Sequence, residues 1–72
     1  MNIYQSDFAC MLGDNKRIEY SEIQGFLSVQ RMATLRAENL TFVKFSVSVD
    51  GVLIAPNLKV VKNLTIWHNG TK

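Results

Sequence analysis

The sequence predicts an α+β fold in which one main amphipathic helix, over about 21–39, packs on a small antiparallel sheet, a meander of about four strands within residues 41–68. Three observations carry this. Val43, Phe45, Val47 and Val49 alternate with Lys44, Ser46 and Ser48, the period-two pattern of a strand with one buried face. Asp50-Gly51 follows at once and separates two apolar, β-rich runs. Upstream, Ile23, Phe26, Leu27, Val29, Met32, Ala33, Ala37 and Leu40 recur at spacings near three and four, while Arg31, Arg36 and Glu38 take another side.

Taken in chain order, the first twenty residues admit two readings. Ser6 to Gly13 suits a short capped helix stopped by glycine. The same letters suit a hairpin, with Phe8–Leu12 and Arg17–Tyr20 as strands around Gly13-Asp14-Asn15-Lys16. The main helix opens on a capping box, Ser21-Glu22-Ile23-Gln24, and Gly25 together with Ser28 predicts a break early in it. Asp50-Gly51 tolerates the positive φ angles of a type I′ turn, so Val52–Ala55 returns beside Thr41–Val49, with Val47 facing Ile54. Pro56-Asn57 interrupts, Leu58–Val61 resumes, Lys62-Asn63 offers a second tight turn, and Leu64–His68 forms the last strand before a frayed tail. No internal repeat, low-complexity tract or linker stands out, so residues 1–72 read as a single domain.

A chain of 72 residues buries a small core and commonly needs a staple. One cysteine excludes an internal disulfide, and one histidine with one cysteine falls short of a four-ligand zinc site. Oligomerisation remains, and a homodimer closing a sheet edge is the economical form. The start has neither a basic nor an apolar leader region, and no apolar run reaches the roughly 18 residues of a membrane span, which together point to the cytoplasm and to no membrane partner.

Catalysis is not expected. His68 is the only histidine and lies near the end, with no nucleophile or second base beside it. Cys10, among Phe8, Ala9, Met11 and Leu12, reads as a small buried hydrophobe. No metal spacing, glycine-rich phosphate loop or cofactor fingerprint is present, so neither a metal nor a cofactor is implied.

Binding is the remaining class. Residues 1–40 carry a net charge of −1 and residues 41–72 a net of +3, so the predicted sheet half is the basic one. Glu22–Leu27, Ser28-Val29 and Gln30–Arg36 resemble a helix-turn-helix, and the Asp50-Gly51 hairpin would then be the wing of a small winged-helix regulator or excisionase of the kind phages and mobile elements encode. The resemblance implies a DNA-binding transcription regulator. In it, Gln30, Arg31, Thr34 and Arg36 face the bases while Lys44, Lys59 and Lys62 meet phosphates. Ser28 stands where the family's turn usually has glycine, and Thr34 stands where it has an apolar residue. A single bent helix packed on a sheet explains the same letters without DNA. The alternative is a protein-binding module or inhibitor that uses a sheet edge or an apolar patch, with Phe42, Leu53 and Trp67 at the interface. The two readings differ in one placement: DNA binding needs Arg31 and Arg36 on the same side as the three lysines, and opposite sides favour a protein.

Overall fold

In the computed structural model, which describes residues 2–66, 70 and 71, the described chain contains no helix and every strand pairing is parallel. The strands are β1 (Ile3–Tyr4), β2 (Phe8–Cys10), β3 (Asn15–Arg17), β4 (Glu22–Ile23), β5 (Leu27–Val29), β6 (Thr34–Arg36), β7 (Phe42–Val49), β8 (Val52–Ile54) and β9 (Val60–Ile66). Each pairs with the strand one circuit away. Ile3 aligns with Glu22, Glu22 with Phe42 and Phe42 with Val60; Cys10 aligns with Val29, Val29 with Val49 and Val49 with Ile66. The chain therefore winds as a β-solenoid of about 19 residues per coil, with three faces. Face A holds β1, β4 and the starts of β7 and β9; face B holds β2, β5 and the ends of β7 and β9; face C holds β3, β6 and β8.

The winding is driven by what it stacks inside. On face A the inward column is Tyr4, Ile23, Val43 and Val61; on face B the columns are Phe8, Leu27, Val47, Leu64 and Cys10, Val29, Val49, Ile66. Leu35 over Leu53 fills face C, and Ile18, Ala33, Ala37, Ala55 and Leu40 complete the buried cluster. Burying one Val, Leu or Ile side chain contributes about 1.5–3 kcal/mol, and like residues at equivalent positions let each coil bury its neighbour's core edge. Tyr4, Phe8 and Tyr20 close the first coil as an aromatic cluster, with ring centroids 4.9 to 6.4 Å apart. The corners are also laddered: Ser21 N–H donates to Asn2 O (2.7 Å), Thr41 N–H to Ser21 O (2.9 Å) and Lys59 N–H to Thr41 O (3.1 Å).

These facts correct the predicted fold class. The helix over 21–39 is instead β4, β5 and β6. Its apparent period arises because Ile23, Leu27, Val29, Ala33, Leu35, Ala37 and Leu40 point inward from short strands and the corners between them, and that mixture of two-, three- and four-residue steps mimics helical spacing. Phe26 and Met32, which a helix would bury, are 51% and 77% exposed. The proposed capping box is absent: Ser21 Oγ donates to Asn2 O, and Gln24 Nε2 donates to Glu22 Oε2.

The antiparallel meander is likewise overturned. β7 and β8 lie in different sheets, so Asp50-Gly51 turns the chain from face B to face C, and Val47 pairs with Leu27 and Leu64 instead of facing Ile54. Lys62-Asn63 lies within β9, and Trp67 and His68 of the predicted last strand are outside the described residues. Neither the helix nor the hairpin predicted for the first twenty residues forms, since β1, β2 and β3 each pair with the coil below. Phe45, assigned to the buried face, is exposed because β7 bends between Val43 and Ser46 at the corner of faces A and B. The weak repeat escaped notice because it conserves only inward apolarity.

Candidate binding surface

The residues predicted to read DNA are dispersed around the solenoid. Gln30 and Arg31 occupy the corner between faces B and C; Thr34 and Arg36 lie on face C; Lys44 and Lys62 share the corner between faces A and B; Lys59 sits at the corner between faces C and A. Arg36 and the Lys44–Lys62 pair thus project from different sides of a three-sided coil. Gln30 is already engaged, its Oε1 accepting from Leu12 N–H (3.2 Å) and its Nε2 approaching Met11 Sδ (3.6 Å), so it ties the second coil to the first. Arg17, beside Arg36 on face C, reaches Glu19 and Glu38, each at 3.3 Å.

Of the residues predicted for a protein interface, Leu53 is 1% exposed within the core, so it offers no contact in the folded chain. Phe42 is half-buried on face A, and Trp67 lies outside the described residues. The exposed aromatics that the alternation concealed are Phe26 and Phe45, stacked 5.4 Å apart at the A/B corner with Lys44 Nζ 5.4 Å from the Phe45 ring.

The last coil departs from an ordinary closed surface. β9 bonds to β7 on one side only, and none of the described strands pairs with its other edge. The inward columns surface there: Leu64 and Ile66 are 45% and 43% exposed, beside half-buried Val61 and Leu58. A seven-residue strand whose outer edge no described strand pairs with, beside the open end of an apolar core, supplies both halves of a strand-addition site: backbone donors and acceptors for affinity, and pockets for alternate side chains. Nothing in the sequence alternation marked this site, because Leu64 and Ile66 read as interior positions of a complete sheet.

The chemistry available elsewhere is sparse. The open groove of about 540 Å³ at the B/C corner is lined by Arg31, Met32, Ala33, Thr34, Asp50, Gly51 and Val52, and it joins one cation, one carboxylate and one hydroxyl with no histidine or thiol in the lining. Among the described residues, no three His, Cys, Asp or Glu side chains converge as metal ligands, and no helix is long and apolar enough to cross a membrane. Cys10 is buried, its Sγ donating to Thr34 O at 3.6 Å. Burial pushes its thiol pKa up, Asp14 adds to the rise and Lys16 opposes it. A thiol whose pKa is raised by folding stabilises the native state at pH values below the unfolded thiol range and loses that contribution as pH rises through the folded value. Alkylation of Cys10 in the native chain is therefore expected to be far slower than in denaturant. Denaturant midpoints should fall at alkaline pH in the wild type and fall less in Cys10→Ala; equal alkylation rates in the two states would contradict the burial.

No family model matches the chain, and neither a curated protein nor a solved structure is significantly similar to it.

Proposed function

We propose that this protein is a non-enzymatic protein-binding module that recruits its partner by strand addition on β9. The single observation that supports this is the coincidence of an edge that none of the described strands pairs with and the exposed core positions Leu64 and Ile66. Apolar core positions left open beside an unpaired strand favour association, because a paired strand satisfies the edge while its side chains cover the core. The dispersal of Arg36, Lys44, Lys59 and Lys62 over separate sides argues in the same direction, since nucleic-acid readers concentrate their cations on one surface.

A photo-crosslinking side chain placed in turn at Thr65, Arg17 and Lys44 tests the reading in the native host lysate. The expected result is a discrete protein adduct from position 65 that is absent from positions 17 and 44. Equal adducts from all three positions, or retention of the chain on heparin and a shift of duplex DNA at low salt, would instead restore the nucleic-acid reading.

A further inference from the structure

The solenoid has two unlike ends, and they complement each other in backbone, side chain and charge. At the tail, none of the described strands pairs with the outer edge of β9, beside the core positions Val61, Leu64 and Ile66. At the head, β1 and β2 pair, among the described strands, only with the coil below, with half-buried Tyr4 and Phe8 and fully buried Cys10 as their inward residues. The register between coils carries over the gap. One more parallel step would set Tyr4, Phe8 and Cys10 of a second copy on Val61, Leu64 and Ile66, as Ile23, Leu27 and Val29 already receive them within the chain. Thr65 would likewise meet Ala9 and prolong the outward row of Ala9, Ser28, Ser48 and Thr65 on face B.

Charge fixes which end meets which. The first coil, residues 1–21, sums to −1 (Asp7, Asp14 and Glu19 against Lys16 and Arg17), and the second, 22–41, sums to zero. The third, 42–59, sums to +1, and the described part of the fourth carries only Lys62. The molecule is therefore acidic at its head and basic at its tail. Lys62 occupies the A/B corner of the last coil, the position that Gln5, Ser6 and Asp7 hold in the first, so stacking in register brings Lys62 against exposed Asp7. Tail against tail would instead place two basic coils together.

From this complementarity we propose that the partner of β9 is the head of a second copy of this chain, so that solenoids join head to tail into an open linear stack. The proposal rests on the strand-addition reading above and adds the identity of the partner. A head-to-tail contact between identical subunits is heterologous, and when no rotation closes it the product is a filament. The contact is small, because the chain's Cα extents are only 31 × 22 × 21 Å, and small interfaces are weak and reversible. Stacks should accordingly grow with protein concentration and shorten as salt screens the Lys62–Asp7 attraction.

Sedimentation of the purified 72-residue chain over a concentration series, with electron microscopy at the highest concentration, tests the proposal together with two variants. Leu64→Lys/Ile66→Lys blocks the tail and leaves the head intact; Lys62→Glu changes one exposed charge. The expected results are concentration-dependent species beyond a dimer for wild type, monomer alone for the tail-blocked variant, and weaker association for Lys62→Glu. The tail-blocked variant should also shorten wild-type stacks when mixed below stoichiometry, because its head still adds to a free tail and then ends growth. Unchanged circular dichroism in both variants shows that the fold survives; if the double variant unfolds, Lys62→Glu and the salt series decide alone. A wild type that stops at a dimer, or stacks that tail-blocked chains do not shorten, would replace this arrangement with a symmetric one. A monomer at every concentration would refute self-stacking while leaving the strand-addition reading to the crosslink at Thr65.

Discussion

Replacing Leu35 with alanine is expected to remove about 2–5 kcal/mol of stability, the range for truncating a fully buried leucine. Leu35 is 0% exposed at the centre of β6 and stacks on Leu53, while the first-coil position in register with it is Lys16, half exposed and paired with Asp14 at 3.5 Å. Face C therefore depends on Leu35 and Leu53 for its apolar content, with no third hydrophobe above to collapse into the void. At roughly 0.05–0.15 kcal/mol per residue, a chain of this length has about 4–11 kcal/mol in all, so the variant should lose a large share of its stability and unfold at a markedly lower denaturant concentration. A denaturant titration checks this, with Phe26→Ala and Met32→Ala as controls. A helix over 21–39 would make both controls costly; their exposure on the solenoid predicts changes within about 0.5 kcal/mol. A small loss for Leu35→Ala beside large losses for the controls would contradict the solenoid.

Gly51→Ala is expected to cost about 2–3 kcal/mol, the upper part of the overpacking range. The corner from face B to face C spans five residue steps from Cys10 to Asn15 and from Val29 to Thr34, but only three from Val49 to Val52. The shorter corner tucks Gly51 beneath the wider one, where a methyl group would abut the carbonyl oxygens of Gln30 and Ala33, with the Ala33 nitrogen at 3.1 Å. All three are backbone atoms held in the ladder, since Val52 N–H donates to Ala33 O and Ala33 N–H donates to Gln30 O. Gly13 makes the opposite demand. Its φ is +77° and nothing lies within 4 Å of the added carbon, so Gly13→Ala should cost about 1–2 kcal/mol from backbone strain alone. Thermal melts of the two variants separate crowding from strain, and a milder effect at Gly51 than at Gly13 would refute the crowded corner.

Strand character was legible in the sequence where a strand is long enough to display its period. Residues 41–49 read as a strand and contain β7. Where strands last two or three residues, period two has no room to appear, and the corners between them rewrite the spacing into something helical, as between Ile23 and Leu40. The partners were not legible. Asp50-Gly51 has the composition of a hairpin turn, yet parallel pairing one coil away buries Val47 and Val49 on both neighbours, which a two-stranded hairpin of three-residue β8 could not do. The candidate interface was legible only in outline: a free sheet edge was anticipated, but Leu53 proved to be core and the exposed Leu64 and Ile66 carried no local signal. The −1 to +3 division of charge is legible in the sequence as a mildly basic second half. The coil order turns the same residues into a gradient along the solenoid axis.

The stacked corners have a consequence for how such a chain can change length. Because Asn2, Ser21, Thr41 and Lys59 succeed one another in a single row of backbone bonds, an insertion or deletion within a strand shifts its residues off their columns, whereas a corner, such as the one shortened between Val49 and Val52, absorbs a change of a residue or two. Growth by a whole circuit keeps every face in phase: a unit of about 19 residues enters or leaves as one step of about 4.8 Å, the spacing between neighbouring strands. The molecule is in this sense a ruler whose graduation is set by its own hydrogen bonds, and splicing a second copy of residues 22–41 after Thr41 would lengthen it by one mark.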